Sequence, residues 1–141
     1  MMVDADGVHI GQDDFPITEV RNLIGNKIIG LSTHSPKQAE LAIASGADYI
    51  GVGPIFSTQT KENVCNAVGL EYLDYAVENV KIPFIAIGGI KEHNISEIIR
   101  RGAKRICLVT EIVGADDIQE KIKRINEKIS KESRLLCQDN L

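Results

Sequence analysis

The sequence has few aromatic residues, no tryptophan and only three cysteines among its 141 residues. The cysteines are Cys65, Cys107 and Cys137, and their odd number and spacing match no zinc-binding pattern. We interpret them as reduced, structural or incidental thiols, as expected in a cytosolic protein. No stretch reaches the length of a transmembrane helix, and no charged-then-apolar signal segment stands at the start. The sequence therefore predicts a cytoplasmic protein.

The sequence also lacks a strong excess of either charge. Its 16 basic and 20 acidic side chains give a formal net charge of −4, which argues against a nucleic-acid or acidic-membrane surface. Small anions remain candidate ligands, because backbone N–H groups bind them without net positive charge. A chain of 141 residues can bury the core of one domain, whereas a closed eight-fold β/α barrel usually needs roughly 200 residues.

Short apolar, β-branched runs alternate with amphipathic stretches along the whole chain. The runs are nearly continuous in apolar character, which is typical of parallel strands covered on both faces. They predict strands over residues 7–10, 27–31, 49–52, 84–87 and 105–109. The amphipathic stretches predict helices over residues 18–23, 36–45, 71–80 and 95–101, and from about residue 115 onward. Repeated strand–helix units make either a closed barrel or an open doubly wound sheet.

A repeated junction between helix and strand favours the barrel. Gly46-Ala47 and Gly102-Ala103 each predict a left-handed helix end followed by a small residue for close packing. Ser35 and Asn94 are predicted to cap the helices that follow them. We predict an α/β fold of the (β/α) TIM-barrel type, a partial barrel with about five of the eight β/α units. Residues 1–131 form its single domain, and residues 132–141 are predicted to be a polar, frayed tail.

Polar or glycine-rich segments follow all five predicted strands, where such folds place their active sites. Gly88-Gly89 and Thr110 follow the last two strands and suit a phosphate, although glycines also occur there simply for tight turns. The loop that contains Thr58, Thr60 and Lys61 offers hydroxyls and an ammonium for a phosphate, diphosphate or carboxylate, or else is a solvated polar loop.

The first predicted strand is followed by two adjacent carboxylates. Asp13 and Asp14 suit a magnesium ion, or else form an acidic loop that caps the next helix. The histidines His9, His34 and His93 have no evident partner in the sequence. We therefore expect them to serve in packing, capping or surface roles rather than in catalysis.

Six segments in this order resemble the thiamine-phosphate synthase family. The most specific is Gly-Pro-Ile-Phe at residues 53–56 followed by Thr58, Thr60 and Lys61. The others are residues 7–14, residues 30–35, residues 67–70, and the strand ends at residues 87–90 and 109–110. The resemblance extends to about residue 118. It implies an enzyme that joins a pyrimidine methyl diphosphate to thiazole phosphate, giving thiamine phosphate and pyrophosphate.

The resemblance also implies roles for individual residues. Asp14 would coordinate Mg²⁺. Ser32 and Lys61 would contact the diphosphate and act in catalysis, and the remaining positions would bind the thiazole substrate and its phosphate. These positions are Thr58, Thr60, Gly88, Gly89, Val109 and Thr110.

The sequence departs from the family pattern at several points. The family's early Gln-x-Arg…Lys segment and its Asn-Asp pair have no counterpart here. Ser57 stands where proline is common, and Glu111 stands where a small residue is usual. We expect that strands of a complete barrel are missing or lie on another chain, and that exposed sheet edges lead to self-association. A thiazole tautomerase-like enzyme and an inactive phosphate-binding fragment remain alternatives to the synthase.

Overall fold

The computed structural model of the chain describes residues 3–58 and 66–138. Strands and helices alternate along it. The strands are β1 (Gly7–Ile10), β2 (Ile28–Thr33), β3 (Tyr49–Val52), β4 (Phe84–Ile87) and β5 (Ile106–Cys107). The helices are α1 (Ile17–Ile24), α2 (Pro36–Ala44), α3 (Gly69–Asn79), α4 (Ile95–Arg100), α5 (Thr110–Val113) and α6 (Ile118–Gln138). No helix of this part of the chain is long and apolar enough to cross a membrane.

The five strands form one parallel sheet in the order β1-β2-β3-β4-β5. A doubly wound sheet reverses its strand order at one point, and this sheet does not. Sequential order is the arrangement of a β/α barrel, in which each strand pairs with the next one along the chain. The predicted α/β fold of the partial-barrel type is confirmed.

The core lies between this sheet and the helices that connect its strands. Ile29 and Ile50 on neighbouring strands are fully buried, as are Leu73 on α3 and Ile98 on α4. The predicted Gly-Ala junctions are also confirmed, since Gly46 and Gly102 have φ of 89° and 97°. The alanines that follow these glycines are buried in the core. Ser35 caps α2 by accepting a hydrogen bond from the Gln38 N–H at 3.3 Å.

Two strand boundaries differ from those predicted. Strand β2 continues beyond the predicted end at residue 31 through Ser32 and Thr33, because both residues pair with β3. Strand β5 is only two residues long, and the short helix α5, which was not predicted, begins at Thr110. Both differences occur at the carboxyl ends of strands. In β2 the polar Ser32 and Thr33 continue the strand, whereas the apolar Leu108 and Val109 lie beyond the end of β5.

The predicted frayed tail after Lys131 is wrong, because α6 continues to Gln138. Glu132 accepts two hydrogen bonds of 3.0 Å from the Arg100 guanidinium, one on each carboxylate oxygen. Leu136, one turn further along α6, packs against the core. These two anchors give the polar segment a tertiary partner that its composition does not reveal.

Candidate functional site

A cavity of about 430 Å³ lies at the carboxyl ends of the strands. We call it the strand-end cavity. All five strand ends contribute residues to its lining, and six of these residues were predicted as site residues from the sequence. The six are Ser32, Thr58, Gly88, Gly89, Val109 and Thr110. Thr60 and Lys61, the other members of the predicted Thr-Lys loop, lie outside the described residues, as does Cys65.

The two glycines after β4 are required by packing as well as by backbone conformation. Gly88 and Gly89 have φ of 95° and 63°, in the region that favours glycine. A Cβ at Gly88 would overlap Pro54, and one at Gly89 would lie 2.6 Å from the Ser57 carbonyl oxygen. The Phe56 N–H also donates to the Gly88 carbonyl at 3.0 Å. The loop that leads to Thr58 is therefore packed directly on the glycine loop.

Asn94 holds the same glycine loop from the other side. Its Nδ2 donates to the Gly89 carbonyl at 3.1 Å, and its Oδ1 accepts from the Lys91 N–H at 2.7 Å. Asn94 occupies the N-cap position of α4 as predicted, but its side chain makes no capping hydrogen bond. Its side chain instead fixes the turn that carries Gly89.

Ser32 belongs to a hydrogen-bonded cluster with two side chains from neighbouring strands. His9 Nε2 lies 2.9 Å from Ser32 Oγ, and His9 Nδ1 lies 2.9 Å from the Tyr49 hydroxyl. Burial raises the pKa of Tyr49, so this hydroxyl stays protonated at neutral pH. His9, for which the sequence predicts a packing, capping or surface role, thus contacts a side chain that lines the cavity.

The sequence contained a signal for this cluster. A Cβ at Gly30 would lie 2.5 Å from His9 Nδ1 and would overlap the Tyr49 ring. Gly51, on the next strand, is also close to the imidazole. Glycine weakens a strand, so its presence there often marks a place where another group packs closely against the backbone. Gly30 and Gly51 lie on neighbouring strands, and the space that their missing side chains leave is filled by the His9 imidazole.

His34 also has hydrogen-bond partners in the structure. Its Nδ1 lies 2.5 Å from the Gly53 carbonyl oxygen, and its N–H donates to Gln38 Oε1 at 2.7 Å. Beside it, the fully buried Thr33 hydroxyl donates to the Gly51 carbonyl at 2.8 Å and contacts the Tyr72 hydroxyl at 2.6 Å. Desolvation raises the pKa of Tyr72. These contacts fix β2 to β3 and α3 directly beneath the cavity.

The predicted metal ligand Asp14 lies at the rim near β1. Its Oδ2 accepts a hydrogen bond of 2.7 Å from the Gly11 N–H, while the adjacent Asp13 lines the cavity. Gln12 between them and Gly11 donates from Nε2 to the Ser32 carbonyl at 2.6 Å. Among residues 3–58 and 66–138, no group of three or more His, Cys, Asp or Glu side chains is placed to hold a metal ion. The structure thus brings carboxylates to the cavity edge without a complete metal centre in the described part.

Glu111, the unusual residue after Thr110, is paired with α6. Lys121 Nζ lies 3.0 Å from Glu111 Oε1 and 2.9 Å from Glu92 Oε2. Arg124 adds a contact of 3.1 Å to the same Glu92 oxygen. The carboxylate that the sequence places beside the expected phosphate site therefore has a cationic partner.

Comparison with known proteins agrees with this geometry. Residues 1–112 match the family model described as thiamine monophosphate synthase. A protein of Pelotomaculum thermopropionicum named thiamine-phosphate synthase is 63% identical over 132 residues, which are 93% of this chain and 61% of that protein. A protein of Lawsonia intracellularis with the same name is 56% identical over 92% of this chain and 60% of its own length. The chain thus spans about three fifths of the length of these relatives.

The solved structures give the same result. The thiamine phosphate pyrophosphorylase from Pyrococcus furiosus superimposes with a TM-score of 0.82 at 37% identity, covering 92% of this chain and 62% of that one. A 3-hexulose-6-phosphate synthase superimposes with a TM-score of 0.64 at 22% identity, which shows a shared fold alone. With its family segments converging on one cavity and its relatives matching nearly its whole length, the chain belongs to the thiamine monophosphate synthase family.

Proposed function

We propose that this chain acts as a thiamine-phosphate synthase. The reaction joins 4-amino-2-methyl-5-(diphosphooxymethyl)pyrimidine to thiazole phosphate, and it yields thiamine phosphate and pyrophosphate. One observation carries the proposal. In a member of this family, all the predicted site residues within the described part, except Asp14, line one cavity at the strand ends.

Thiazole phosphate would occupy the β3–β5 side of the cavity. Gly88 and Gly89 allow a ligand to approach the backbone closely, and Thr110 supplies a hydroxyl where α5 begins. Val109 lines the same wall. Thr58, which follows the loop packed on Gly88, is positioned to contact the thiazole, and Thr60 is assigned the same role by family resemblance.

The diphosphate would lie on the β2 side, against Ser32. Lys61 is assigned to the same group by family resemblance and would offset its negative charge. In the reaction, the thiazole nitrogen supplies an electron pair to the pyrimidine methylene carbon. The bond from that carbon to the diphosphate oxygen breaks, and pyrophosphate leaves with the bonding pair. The protein stabilises the charge that develops on the leaving group and positions the two substrates, which needs no side-chain nucleophile.

Mg²⁺ fits the donor set in part. Asp13 and Asp14 stand side by side at the cavity edge, and carboxylate oxygen is a ligand that Mg²⁺ prefers, together with substrate phosphates. We propose Asp14 as a ligand, held in place by its hydrogen bond from the Gly11 N–H. Bound there, the ion would neutralise charge on the diphosphate.

The chain would associate with another polypeptide chain. Strands β1 and β5 are the edges of the described sheet, and apolar side chains of α6 and the segment before it are exposed. These side chains are Val113, Ile118, Ile122 and Leu135. Unpaired strand edges favour association, so we propose self-association or a complementing chain. We place this reaction of small charged substrates in the cytoplasm.

A direct test measures thiamine phosphate formed by the purified chain from both substrates with Mg²⁺. The variants Thr58→Ala and Asp14→Ala serve as controls, and thiazole-phosphate binding is measured in parallel by titration calorimetry. We expect product formation that both substitutions reduce by at least about tenfold, since each removes a contact to a charged or polar group. Thiazole-phosphate binding without product would instead indicate an inactive binding fragment. Absence of both would refute the proposal.

A further inference from the structure

Glu111 presents an electrostatic problem for the proposed phosphate site. It directly follows Thr110, and Thr110 lines the strand-end cavity. A carboxylate at this position repels an incoming phosphate, since like charges held close together in a partly buried site interact strongly. In the described structure, Lys121 on α6 pairs with this carboxylate.

Lys121 lies between two carboxylates from different segments of the chain. Its Nζ is 3.0 Å from Glu111 Oε1, on the short helix α5, and 2.9 Å from Glu92 Oε2, between β4 and α4. The Glu92 N–H also donates to Glu111 Oε1 at 3.3 Å. We call these three residues the Lys121 clamp. The Glu111 and Lys121 side chains are only 16% and 19% exposed, so water screens their pairing less than it screens most surface pairs.

The clamp is charged at neutral pH. Burial pushes the pKa of Glu111 upward, but the hydrogen bonds from Lys121 and from the Glu92 N–H outweigh this effect, and the net result is a lowered pKa. The hydrogen bonds to Glu92 and Glu111 raise the pKa of Lys121. Arg124 contacts Glu92 at 3.1 Å, and Lys128 Nζ donates to the Glu92 carbonyl at 2.6 Å. Two carboxylates therefore face two paired cations, and a third cation, the Lys128 ammonium, contacts the Glu92 carbonyl.

We propose that Lys121 is a positioning residue for anion binding, which holds the Glu111 carboxylate away from the phosphate position and neutralises it. This inference rests on the proposed phosphate site and adds to it a residue from α6. Lys121 does not line the strand-end cavity. It acts through Glu111, and through Glu92 it also fixes the segment that follows the glycine loop.

A purely structural role for Lys121 predicts a different outcome from double substitution. Suppose that Lys121 only cross-links α6 to the rest of the fold. Removing the Glu111 carboxylate as well then cannot restore the phosphate binding that the loss of Lys121 weakens. If Lys121 neutralises Glu111, the second substitution removes the repulsive charge and restores binding. A double-mutant cycle separates these cases, because residues in direct contact show large interaction energies.

The experiment uses the whole chain and titration calorimetry with two probes, thiazole phosphate and inorganic phosphate. We expect Lys121→Met to weaken the binding of both probes by roughly tenfold. We expect Lys121→Met combined with Glu111→Gln to bind within about threefold of the unmodified chain, and Lys121→Arg to do the same because it keeps the charge. The matched control is Lys123→Met on the same helix, whose side chain is 65% exposed and pairs only with the nearby Glu120 among the ion pairs of the described residues. Its binding should be unchanged.

Glu111→Gln alone gives an independent test that does not depend on the stability of Lys121→Met. It removes the carboxylate while Lys121 remains, so binding should be at least as tight as in the unmodified chain. Weaker binding in this variant, or a double variant as weak as Lys121→Met, would overturn the inference. If the unmodified chain binds phosphate but forms no product, only the synthase proposal fails. If it binds neither probe, the phosphate site and the role of Lys121 fail together.

Discussion

The two sides of the strand-end cavity are built from different materials. On the β4–β5 side, backbone and packing define the site: Gly88 and Gly89 fit against Pro54 and the Ser57 carbonyl, and Asn94 fixes the turn. On the β1–β2 side, polar side chains such as those of Gln12, Asp13 and Ser32 line the cavity, and His9 contacts Ser32 from behind. The backbone site on the β4–β5 side needs only the residues that pack against it. The side-chain site on the β1–β2 side also needs charged groups to bind an anionic ligand.

This difference predicts that the binding of thiazole phosphate and the binding of pyrophosphate respond differently to substitutions and to Mg²⁺. The described residues contain the groups that would support the proposed thiazole-phosphate side, including the Lys121 clamp. The diphosphate side has two carboxylates at one edge but no cluster of three metal-ligating side chains within the described part. We therefore expect thiazole phosphate to bind more independently of Mg²⁺ than pyrophosphate does.

The largest effect should come from the glycine loop. Gly88→Ala introduces a Cβ that overlaps Pro54 at a φ of 95°, so strain and overpacking act together. We expect the free energy of unfolding to fall by about 3 kcal/mol, and thiazole-phosphate binding to be lost. The matched control is Gly46→Ala, where φ is 89° but no atom lies within 4 Å of the new Cβ. It should cost only about 1 kcal/mol and leave binding intact. Urea unfolding and calorimetry measure both, and equal losses would contradict the packing argument.

The next prediction separates the two sides by ligand. Thr110→Ala should weaken thiazole-phosphate binding by about tenfold, whether or not Mg²⁺ is present, because a hydroxyl donor to the phosphate is lost. Asp14→Asn should weaken Mg²⁺-dependent pyrophosphate binding by a similar factor and leave thiazole phosphate unaffected. Titrations with and without Mg²⁺ measure the affinity of each variant for thiazole phosphate and for pyrophosphate. An effect of Asp14→Asn on both ligands would show that the two sides are not independent.

The fold was more predictable from the sequence than the site. The apolar runs gave the five strands, because strands covered on both faces must be apolar throughout. The Gly-Ala pairs between helix and strand predicted the helix ends at Gly46 and Gly102. The extent of α6 was missed, since the contacts of Glu132 with Arg100 and of Leu136 with the core are tertiary.

The site was predictable where its chemistry follows a strand along the chain. Ser32, Thr58, Gly89 and Thr110 lie at or after strand ends and line one cavity, while their roles in binding stay predictions. The His9 cluster and the Lys121 clamp were missed because their members are far apart in sequence, as with His9 and Tyr49 or Lys121 and Glu92. Such pairs depend on strand register and helix packing, which one sequence does not specify.

A third prediction compares the cavity with the opposite end of the sheet. Asp48 lies just before β3, where its Oδ2 accepts hydrogen bonds of 2.7 Å from the Ile29 N–H and from Arg21. These bonds, the backbone one first, lower the pKa of Asp48 below its usual value of 3.8. A lowered pKa means that the carboxylate stabilises the fold above about pH 4 and that this contribution is lost as the pH falls through the folded pKa.

We expect Asp48→Asn to lower the free energy of unfolding at pH 7 by about 1 kcal/mol, since the side chain is 46% exposed and partly screened. The variant should lose less stability than the unmodified chain between pH 5 and pH 3. Urea unfolding at several pH values measures this, with thiazole-phosphate binding as the reference. Weakened binding at pH 7 would show that the two ends of the sheet are coupled.

The smallest effect should come from the outer member of the His9 cluster. Tyr49→Phe removes the hydroxyl that lies 2.9 Å from His9 Nδ1 and keeps the ring that packs against the imidazole. If the hydroxyl holds His9 in the tautomer that donates from Nε2 to Ser32, the Ser32 hydroxyl can donate its own proton to a diphosphate oxygen. Without it, that tautomer is less favoured, and pyrophosphate should bind about threefold more weakly, while thiazole phosphate binds as before. Equal weakening of both ligands would place the His9 cluster in the general packing of the barrel instead of on the diphosphate side.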